Sequence, residues 1–167
     1  MAKIAIIGIA GGGKSTLSKS LGKKFNIPVF HLDKYYWNSD WKERYATRQE
    51  FINVADELSN LPEWIIDGNY KYTIENRLEK SDIIIYFNFP KWRCLLRSFI
   101  RYFKNDKDHF RPDGSKEIVR WNLIRYIIKF RKKRYSNLIK KYSSNKKVYV
   151  LKNNRDIKNL LETLKIN

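Results

Sequence analysis

The apolar residues of the chain gather in five short runs that are continuous rather than alternating. Strands that are covered on both faces of a parallel sheet have this pattern. The segments between the runs place apolar residues at helical spacing, as Leu17 and Leu21 do four residues apart. Strands that alternate with helices indicate an α/β fold. The pattern therefore predicts a three-layer, doubly wound parallel sheet with strands at 3–8, 28–32, 63–67, 82–89 and 147–151.

Local signals set the expected helix boundaries. Thr47 precedes a helical pattern and Glu50 follows three residues later, which is the signature of a capping box. Pro90 ends the fourth apolar run and suits the first turn of the next helix. The polar segment 104–117 lacks periodicity and predicts a loop. These signals predict helices over 14–25, 47–58, 91–103, about 116–141 and 155–164.

A glycine-rich segment follows the first strand and reads GIAGGGKST. It matches the phosphate-binding pattern G-x-x-x-x-G-K-[ST], in which glycines let backbone N–H groups turn toward a phosphate. The following helix adds its N-terminal dipole. Lys14 can supply charge to the terminal phosphates and Ser15 a hydroxyl to Mg²⁺. The segment predicts that ATP and Mg²⁺ are bound by Gly8, Gly11, Gly12, Gly13, Lys14, Ser15 and Thr16.

Two aspartates follow strands at the edge where open α/β sheets bind ligands. Asp67 ends the run WIID, a Walker B pattern, and can hold Mg²⁺ if the third strand lies beside the first. Asp33 follows the second strand and can accept a proton from an acceptor hydroxyl. The sequence leaves open which carboxylate serves the metal and which serves the acceptor. Between these strands, the aromatic segment 34–62 is expected to cover the acceptor.

The sequence also indicates which class of phosphate-loop protein this is. It has no [NT]-K-x-D pattern, which argues against a GTPase, and its short strand spacing favours a small-molecule kinase. The single cysteine, Cys94, excludes an intramolecular disulfide framework and favours a cytoplasmic location. No apolar run approaches the length of a membrane span, and no membrane partner is expected. One domain over 1–167 is expected from the length.

The segments GIAGGGKST, HLDKYYW, WIIDGNY and RPD together resemble the DNA topology modulation proteins of the FlaR type, a group related to adenylate kinases. The resemblance implies a nucleotide-kinase-like fold with strand order 2-3-1-4-5 and a lid between strands four and five, within the helical region of about 91–146. It implies that Arg97 and Arg111 reach the phosphates of ATP, where the planar guanidinium can donate two hydrogen bonds. It also places the adenine near residues 153–155, which makes Arg155 a candidate nucleotide ligand. Adenylate kinases continue with Phe-Pro-Arg where this chain has Asn69-Tyr70-Lys71, which argues against a nucleoside monophosphate acceptor.

The charge of the chain is +18 and is concentrated in one region. Residues 91–147 hold 19 basic and 4 acidic side chains, whereas residues 1–90 hold 12 and 11. A phosphate loop with two edge carboxylates predicts an ATP-dependent kinase of a small acceptor. The uneven charge supports an alternative, a nucleic-acid-associated ATP-binding protein that affects DNA topology through the 91–147 face. An ATPase without an acceptor is a third possibility.

Overall fold

The computed structural model describes residues 2–40, 42–104 and 121–164, without the side chains of 102–104. The strands are β1 (Lys3–Gly8), β2 (Val29–His31), β3 (Trp64–Asp67), β4 (Ile83–Phe87) and β5 (Lys147–Leu151). The helices are α1 (Lys14–Phe25), α2 (Leu32–Tyr36), α3 (Arg48–Asn60), α4 (Ile74–Lys80), α5 (Lys91–Lys104), α6 (Trp121–Lys129), α7 (Lys132–Lys140) and α8 (Asn154–Thr163).

The five strands form one parallel sheet in the order β2-β3-β1-β4-β5, which confirms the predicted fold class and strand order. Asp67 is in register with Ile6 of β1 and with His31 of β2. Gly8 is in register with Phe87 of β4. The register therefore brings the carboxyl ends of four strands to one edge of the sheet, directly beneath the phosphate loop.

Helices cover both faces of the sheet because successive β1 side chains point to opposite sides. Ile4 and Ile6 belong to one buried cluster with Leu17, Leu21 and Leu160. The other face buries Ala5 and Ile7 against side chains of α3 and α4: Phe51, Ala55, Ile74 and Leu78. The central strand is thus apolar on both faces, and this burial fixes its register.

The helix predicted over about 116–141 is wrong as one continuous element. In the described part, α6 ends at Lys129 and α7 begins at Lys132. Ile127 and Phe130 are buried in the cluster on one face of the sheet, whereas Ile139 is buried in the cluster on the other. A straight helix could not bury side chains against both faces of the sheet, so the helix is interrupted between Lys129 and Lys132.

Capping follows the sequence closely at two helices. Thr47 Oγ1 accepts a hydrogen bond from the Glu50 backbone N–H at 3.3 Å, which confirms the predicted N-cap. A complete capping box stands before α8, where the side chains of Asn153 and Asp156 each accept a backbone N–H. None of the helices within the described ranges has the length and apolar content that crossing a bilayer requires.

Candidate active site

The phosphate loop connects β1 to α1 and needs glycine at two points for different reasons. A Cβ on Gly8 would lie 2.3 Å from the carbonyl oxygen of Phe87, so only glycine fits against β4. Gly13 is the N-cap of α1 and has a φ of 102°, which other residues rarely adopt. The loop therefore presents bare backbone at the start of α1, where unpaired N–H groups favour an anion.

Lys14 is the first residue of α1, and its side chain reaches back to the loop. Its Nζ donates hydrogen bonds to the carbonyl oxygens of Gly8 and Ile9, both at 3.0 Å. Burial lowers the pKa of the Lys14 ammonium, while the charges of Asp67 and Asp33 act in the opposite direction. The three charged groups therefore lie close enough to influence one another at the carboxyl edge of β1, β2 and β3.

Asp67 is the last residue of β3 and is only 4% exposed. Its Oδ2 accepts hydrogen bonds from Ser18 Oγ at 2.8 Å and from His31 Nδ1 at 2.9 Å. Ser18 lies one turn after Lys14 on α1, and His31 is the register partner of Asp67 on β2. These two partners hold the carboxylate between α1 and β2. No sequence motif predicted this arrangement.

The donor groups beside the loop fit Mg²⁺. This ion prefers oxygen ligands and usually takes one or two from protein, with water and phosphate oxygens completing the set. Ser15 stands in the first turn of α1, and α1 packs on β3, which ends at Asp67. Within the described part of the chain, no three His, Cys, Asp or Glu side chains form a metal cluster. A hydroxyl and a carboxylate without a closed cage suit a metal that is shared with nucleotide phosphates.

Asp33 lies in the first turn of α2, after β2. Its Oδ1 accepts a hydrogen bond from the Tyr70 hydroxyl at 2.6 Å. Solvent reaches the carboxylate from the open side, but the surrounding protein desolvates it and raises its pKa; the Tyr70 bond acts against this rise. A carboxylate with a raised pKa at this edge of the sheet is chemically suited to accept a proton.

The turn after β3 ties the phosphate loop to the rest of the site through Asn69. The Asn69 Oδ1 accepts from the Gly8 N–H at 2.9 Å, and Nδ2 donates to the Gly8 carbonyl oxygen. Nδ2 also donates to the Tyr126 hydroxyl of α6 at 3.0 Å. Asn69 therefore joins the phosphate loop, the β3 turn and α6. Sequence reasoning quoted this residue only as a departure from adenylate kinases.

We expect Asn69→Ala to loosen the phosphate loop, because the Gly8 N–H loses its side-chain partner and the Gly8 carbonyl keeps only Lys14. The free energy of unfolding should fall by about 1–3 kcal/mol, and the Kd for Mg-ATP should rise about tenfold. Urea denaturation and calorimetric ATP titration measure the two effects. Tyr126→Phe is the matched control, since it removes one bond to Asn69 and leaves Gly8 paired. Equal losses in both variants would contradict this role of Asn69.

A second residue that sequence reasoning missed is Arg77 of α4, which is 1% exposed. Its Nη2 donates to the Gly68 carbonyl at 2.9 Å and its Nε to the Thr73 carbonyl at 3.3 Å. Its Nη1 has no hydrogen-bond partner among the described residues. Burial lowers the pKa of the guanidinium to about 10, with the charge of Asp67 acting against the shift. Arg77 therefore supports, from beneath, the turn that carries Asn69 and Tyr70.

We expect Arg77→Ala to be more destabilising than Arg77→Met by about 2–4 kcal/mol, because alanine leaves a cavity and methionine fills it. Both variants remove the same two donors, so this loss cancels in the comparison. Arg77→Met itself should cost less than about 2 kcal/mol, since release of a desolvated guanidinium offsets the unpaired carbonyls. Paired urea denaturation curves measure these differences. Equal stabilities of the two variants would show that packing at this site is unimportant.

The arginines predicted to face the nucleotide occupy different places. Arg97 Nη1 donates to the Gly12 carbonyl at 2.9 Å, so this side chain does reach the phosphate loop. Arg111 lies outside the described residues. Arg155 is the second residue of α8, beyond the carboxyl end of β5, and its backbone N–H donates to Asn153 Oδ1 at 2.8 Å.

The aromatic residues expected to cover the acceptor are partly packing residues. The rings of Tyr36, Phe51 and Tyr70 lie 4.7–4.8 Å apart, centroid to centroid, in one cluster. Burial raises the pKa of Tyr36 to about 12. This cluster holds Tyr70 in place against Asp33, so its demonstrated contacts are structural. Trp41 lies outside the described residues.

Comparison with solved structures shows the fold of known kinases. Shikimate kinase from Acinetobacter baumannii, in complex with shikimate, superposes with a TM-score of 0.60 at 15% identity, covering 100% of this chain and 95% of that one. Shikimate kinase from Bacteroides thetaiotaomicron gives 0.55 at 17% identity, covering 98% of each chain. Deoxyadenosine kinase from M. mycoides, with the products dCMP and dCDP bound, gives 0.53 at 18% identity, covering 98% and 99%. No protein-family model and no curated protein matches the chain.

The described part of the chain therefore has the fold of P-loop small-molecule kinases. Because the identities are below 20%, these comparisons establish the architecture but do not identify the substrate. The narrower resemblance to DNA topology modulation proteins finds no support in these comparisons. The same is true of a nucleic-acid partner.

Proposed function

We propose that the protein is a Mg-ATP-dependent kinase that transfers the terminal phosphoryl group of ATP to a hydroxyl of a small acceptor. One observation carries the proposal: Lys14 follows β1, Asp33 follows β2 and Asp67 ends β3, so that all three stand at the carboxyl edge of the sheet. Phosphoryl-transfer enzymes use a cation at the phosphates, a carboxylate that helps to hold the metal and a carboxylate that accepts the proton of the attacking hydroxyl. The fold of shikimate and deoxyadenosine kinases supports the same reaction class.

Each side chain has a distinct task in this proposal. The loop amides at the start of α1 bind the phosphates, and Lys14 leaves the carbonyls of Gly8 and Ile9 to neutralise the transferring group. Arg97, which donates to the Gly12 carbonyl, adds a second positive charge at the loop. Mg²⁺, when bound by Ser15 and Asp67, would neutralise phosphate charge. Asp33 accepts the proton of the acceptor hydroxyl, and Tyr70 orients its carboxylate.

The nucleotide is proposed to extend from the loop toward the start of α8. Residues 153–155 follow β5 at the same edge of the sheet as Gly8, where Arg155 can contact ATP. Arg111 is proposed to join the phosphates from the region between α5 and α6. A cytoplasmic location would supply Mg-ATP to this site.

The acceptor site is proposed to lie above Asp33, between α2 and the turn after β3. Two cations face the ring of Tyr72 there: the guanidinium of Arg48 at 4.0 Å and the ammonium of Lys71 at 5.2 Å. They could also attract an acidic acceptor. The acceptor panel should therefore include hydroxy acids besides nucleosides, nucleotides and sugars.

The test is ADP release from Mg-ATP by the purified protein, screened against that panel and against duplex DNA. We expect one acceptor class to raise turnover well above the background rate, and the increase to require Lys14. Stimulation by DNA alone would contradict the proposal and favour the nucleic-acid alternative. Background hydrolysis without stimulation by any panel member would favour an ATPase without an acceptor.

A further inference from the structure

Helix α5 directs its polar side toward the phosphate loop. Cys94 is completely buried, and its carbonyl oxygen would lie 2.6 Å from a Cβ on Gly11. Arg97 reaches the Gly12 carbonyl. Ser98 Oγ would lie 2.8 Å from the same Cβ on Gly11. The side of α5 that carries Cys94, Arg97 and Ser98 is therefore committed to the active site.

The opposite side of α5 is apolar and faces solvent. Its large side chains follow one another at intervals of four, three and one residues, which places them on one face of a helix. Trp92 is 67% exposed and Leu96 52%, and the other two members are also exposed. We name this set the α5 stripe: Trp92, Leu96, Phe99 and Ile100. Soluble domains rarely expose adjoining apolar side chains of this size without a use for them.

The neighbouring helix, α6, also exposes large apolar side chains. Helix α6 packs on α5 and exposes Trp121, at 78%, and Ile128, which lies on the same face seven residues later. Arg125 is exposed between them. The expectation of no membrane partner rested on the lack of an apolar run long enough to span a bilayer, which does not bear on contact with a membrane surface. In this region the fold buries Ile127, whereas Trp121, Ile128 and the α5 stripe are exposed.

The two helices carry charge of one sign. Together α5 and α6 contain seven basic and no acidic side chains, whereas the segment 105–120 between them contains four of each. A surface with this composition attracts phosphate-rich partners and repels cations. A binding partner for this surface must therefore fit both the apolar stripe and the basic side chains near it.

Three occupants differ in what they offer this surface. A second copy of the chain in a two-fold contact would bring the basic surface against itself. Nucleic acid offers phosphates and base faces, but Leu96 and Ile100 have no aliphatic partner there. An anionic bilayer offers phosphates in its headgroups and hydrocarbon below them, which matches tryptophan, leucine and isoleucine within a basic surface.

We propose that the α5 stripe docks this protein onto the surface of an anionic phospholipid bilayer, with α5 lying in the plane of the interface. The apolar side chains enter the headgroup boundary, and the surrounding lysines and arginines contact lipid phosphates. Because Arg97 and Cys94 lie on the other side of α5, docking leaves the phosphate loop facing away from the lipid. The inference rests on exposure and charge and does not depend on the proposed reaction.

The test is co-sedimentation of the full chain with large unilamellar vesicles of phosphatidylcholine, alone or mixed with phosphatidylglycerol. We expect binding to the mixed vesicles and little to phosphatidylcholine, with affinity that decreases as salt increases. The double variant Leu96→Ser/Ile100→Ser should bind the mixed vesicles about tenfold or more weakly. The matched control, Leu61→Ser/Val150→Ser, removes two other exposed apolar side chains and should bind like the wild type.

Four results would overturn the proposal. The first is failure of the wild type to bind the mixed vesicles, and the second is equal binding by both double variants. The third is a lower thermal midpoint of Leu96→Ser/Ile100→Ser than of the control, which would show that the chain itself buries the stripe in solution. The fourth is a dimer or a duplex-DNA complex that only the stripe variant loses, measured by sedimentation velocity without vesicles.

Discussion

Replacing Lys14 by methionine is expected to lower kcat by about 10²–10³-fold, because the loop loses the charge that neutralises the transferring phosphoryl group. The fold should survive this change. Methionine keeps most of the apolar stem, and Asn69 still donates to the Gly8 carbonyl. Burial lowers the pKa of Lys14, so folding disfavours its charged form and its removal should not lower the thermal midpoint.

Initial rates of ADP formation at several ATP concentrations separate the effect of Lys14→Met on kcat from its effect on KM. Lys23→Met is the matched control, since Lys23 is an exposed lysine near the end of the same helix. The control should retain wild-type kinetics. Wild-type kcat in Lys14→Met, together with an unchanged affinity for ATP, would contradict the role given to the phosphate loop.

Replacing Asp33 by asparagine is expected to lower acceptor-dependent kcat by about 10²–10⁴-fold and to leave ATP binding within a few-fold of wild type. Asparagine preserves the shape of the side chain and can still accept the Tyr70 hydrogen bond, but it cannot take a proton. Calorimetric ATP titration and acceptor-dependent rates measure the two quantities. Asp67→Asn is the informative contrast, and it should raise the Mg²⁺ concentration needed for half-maximal rate. If the two variants exchange these effects, the roles of the carboxylates are reversed.

The pH dependence of stability gives an independent view of Asp33. Desolvation by the surrounding protein raises its pKa above the ordinary 3.8, so the folded protein favours the protonated carboxyl. The associated stability is present below pH 3.8 and is lost as the pH rises through the folded-state pKa. Asp33→Asn removes this loss and should therefore raise the thermal midpoint at pH 7 relative to wild type. A lower midpoint in the variant at neutral pH would contradict this account of its environment.

The sheet and the phosphate loop could be predicted because their signals are local. Continuous apolar runs located β1 and β5 at their observed bounds, and the pattern around Gly13 and Lys14 located the start of α1. The break between α6 and α7 was not predictable in this way. It arises because Ile127 and Ile139 are buried on opposite faces of the sheet, and a helical apolar pattern does not state which face it serves.

The supporting residues of the site escaped prediction for a related reason. Asn69 contacts a loop 61 residues earlier in the chain, and Arg77 binds the carbonyl of Gly68 from within the core. Neither contact leaves a periodic pattern or a motif. The exposed α5 stripe has the apolar periodicity of a buried helix, so periodicity alone assigns it to the core. Only the packing of α5 shows that its other side, with Cys94, Arg97 and Ser98, is the one that contacts the phosphate loop.

The most direct test of phosphoryl transfer is phosphorus NMR of the protein with Mg-ATP and the acceptor that most increases ADP release. The assignment of Lys14, Asp33 and Asp67 predicts that the γ-phosphate signal is replaced by a phosphomonoester signal of the acceptor, together with ADP. Asp33→Asn should abolish the phosphomonoester signal while the protein still binds ATP. Conversion of ATP to ADP and inorganic phosphate alone, with every acceptor unmodified, would contradict a kinase and leave an ATPase built on the same fold.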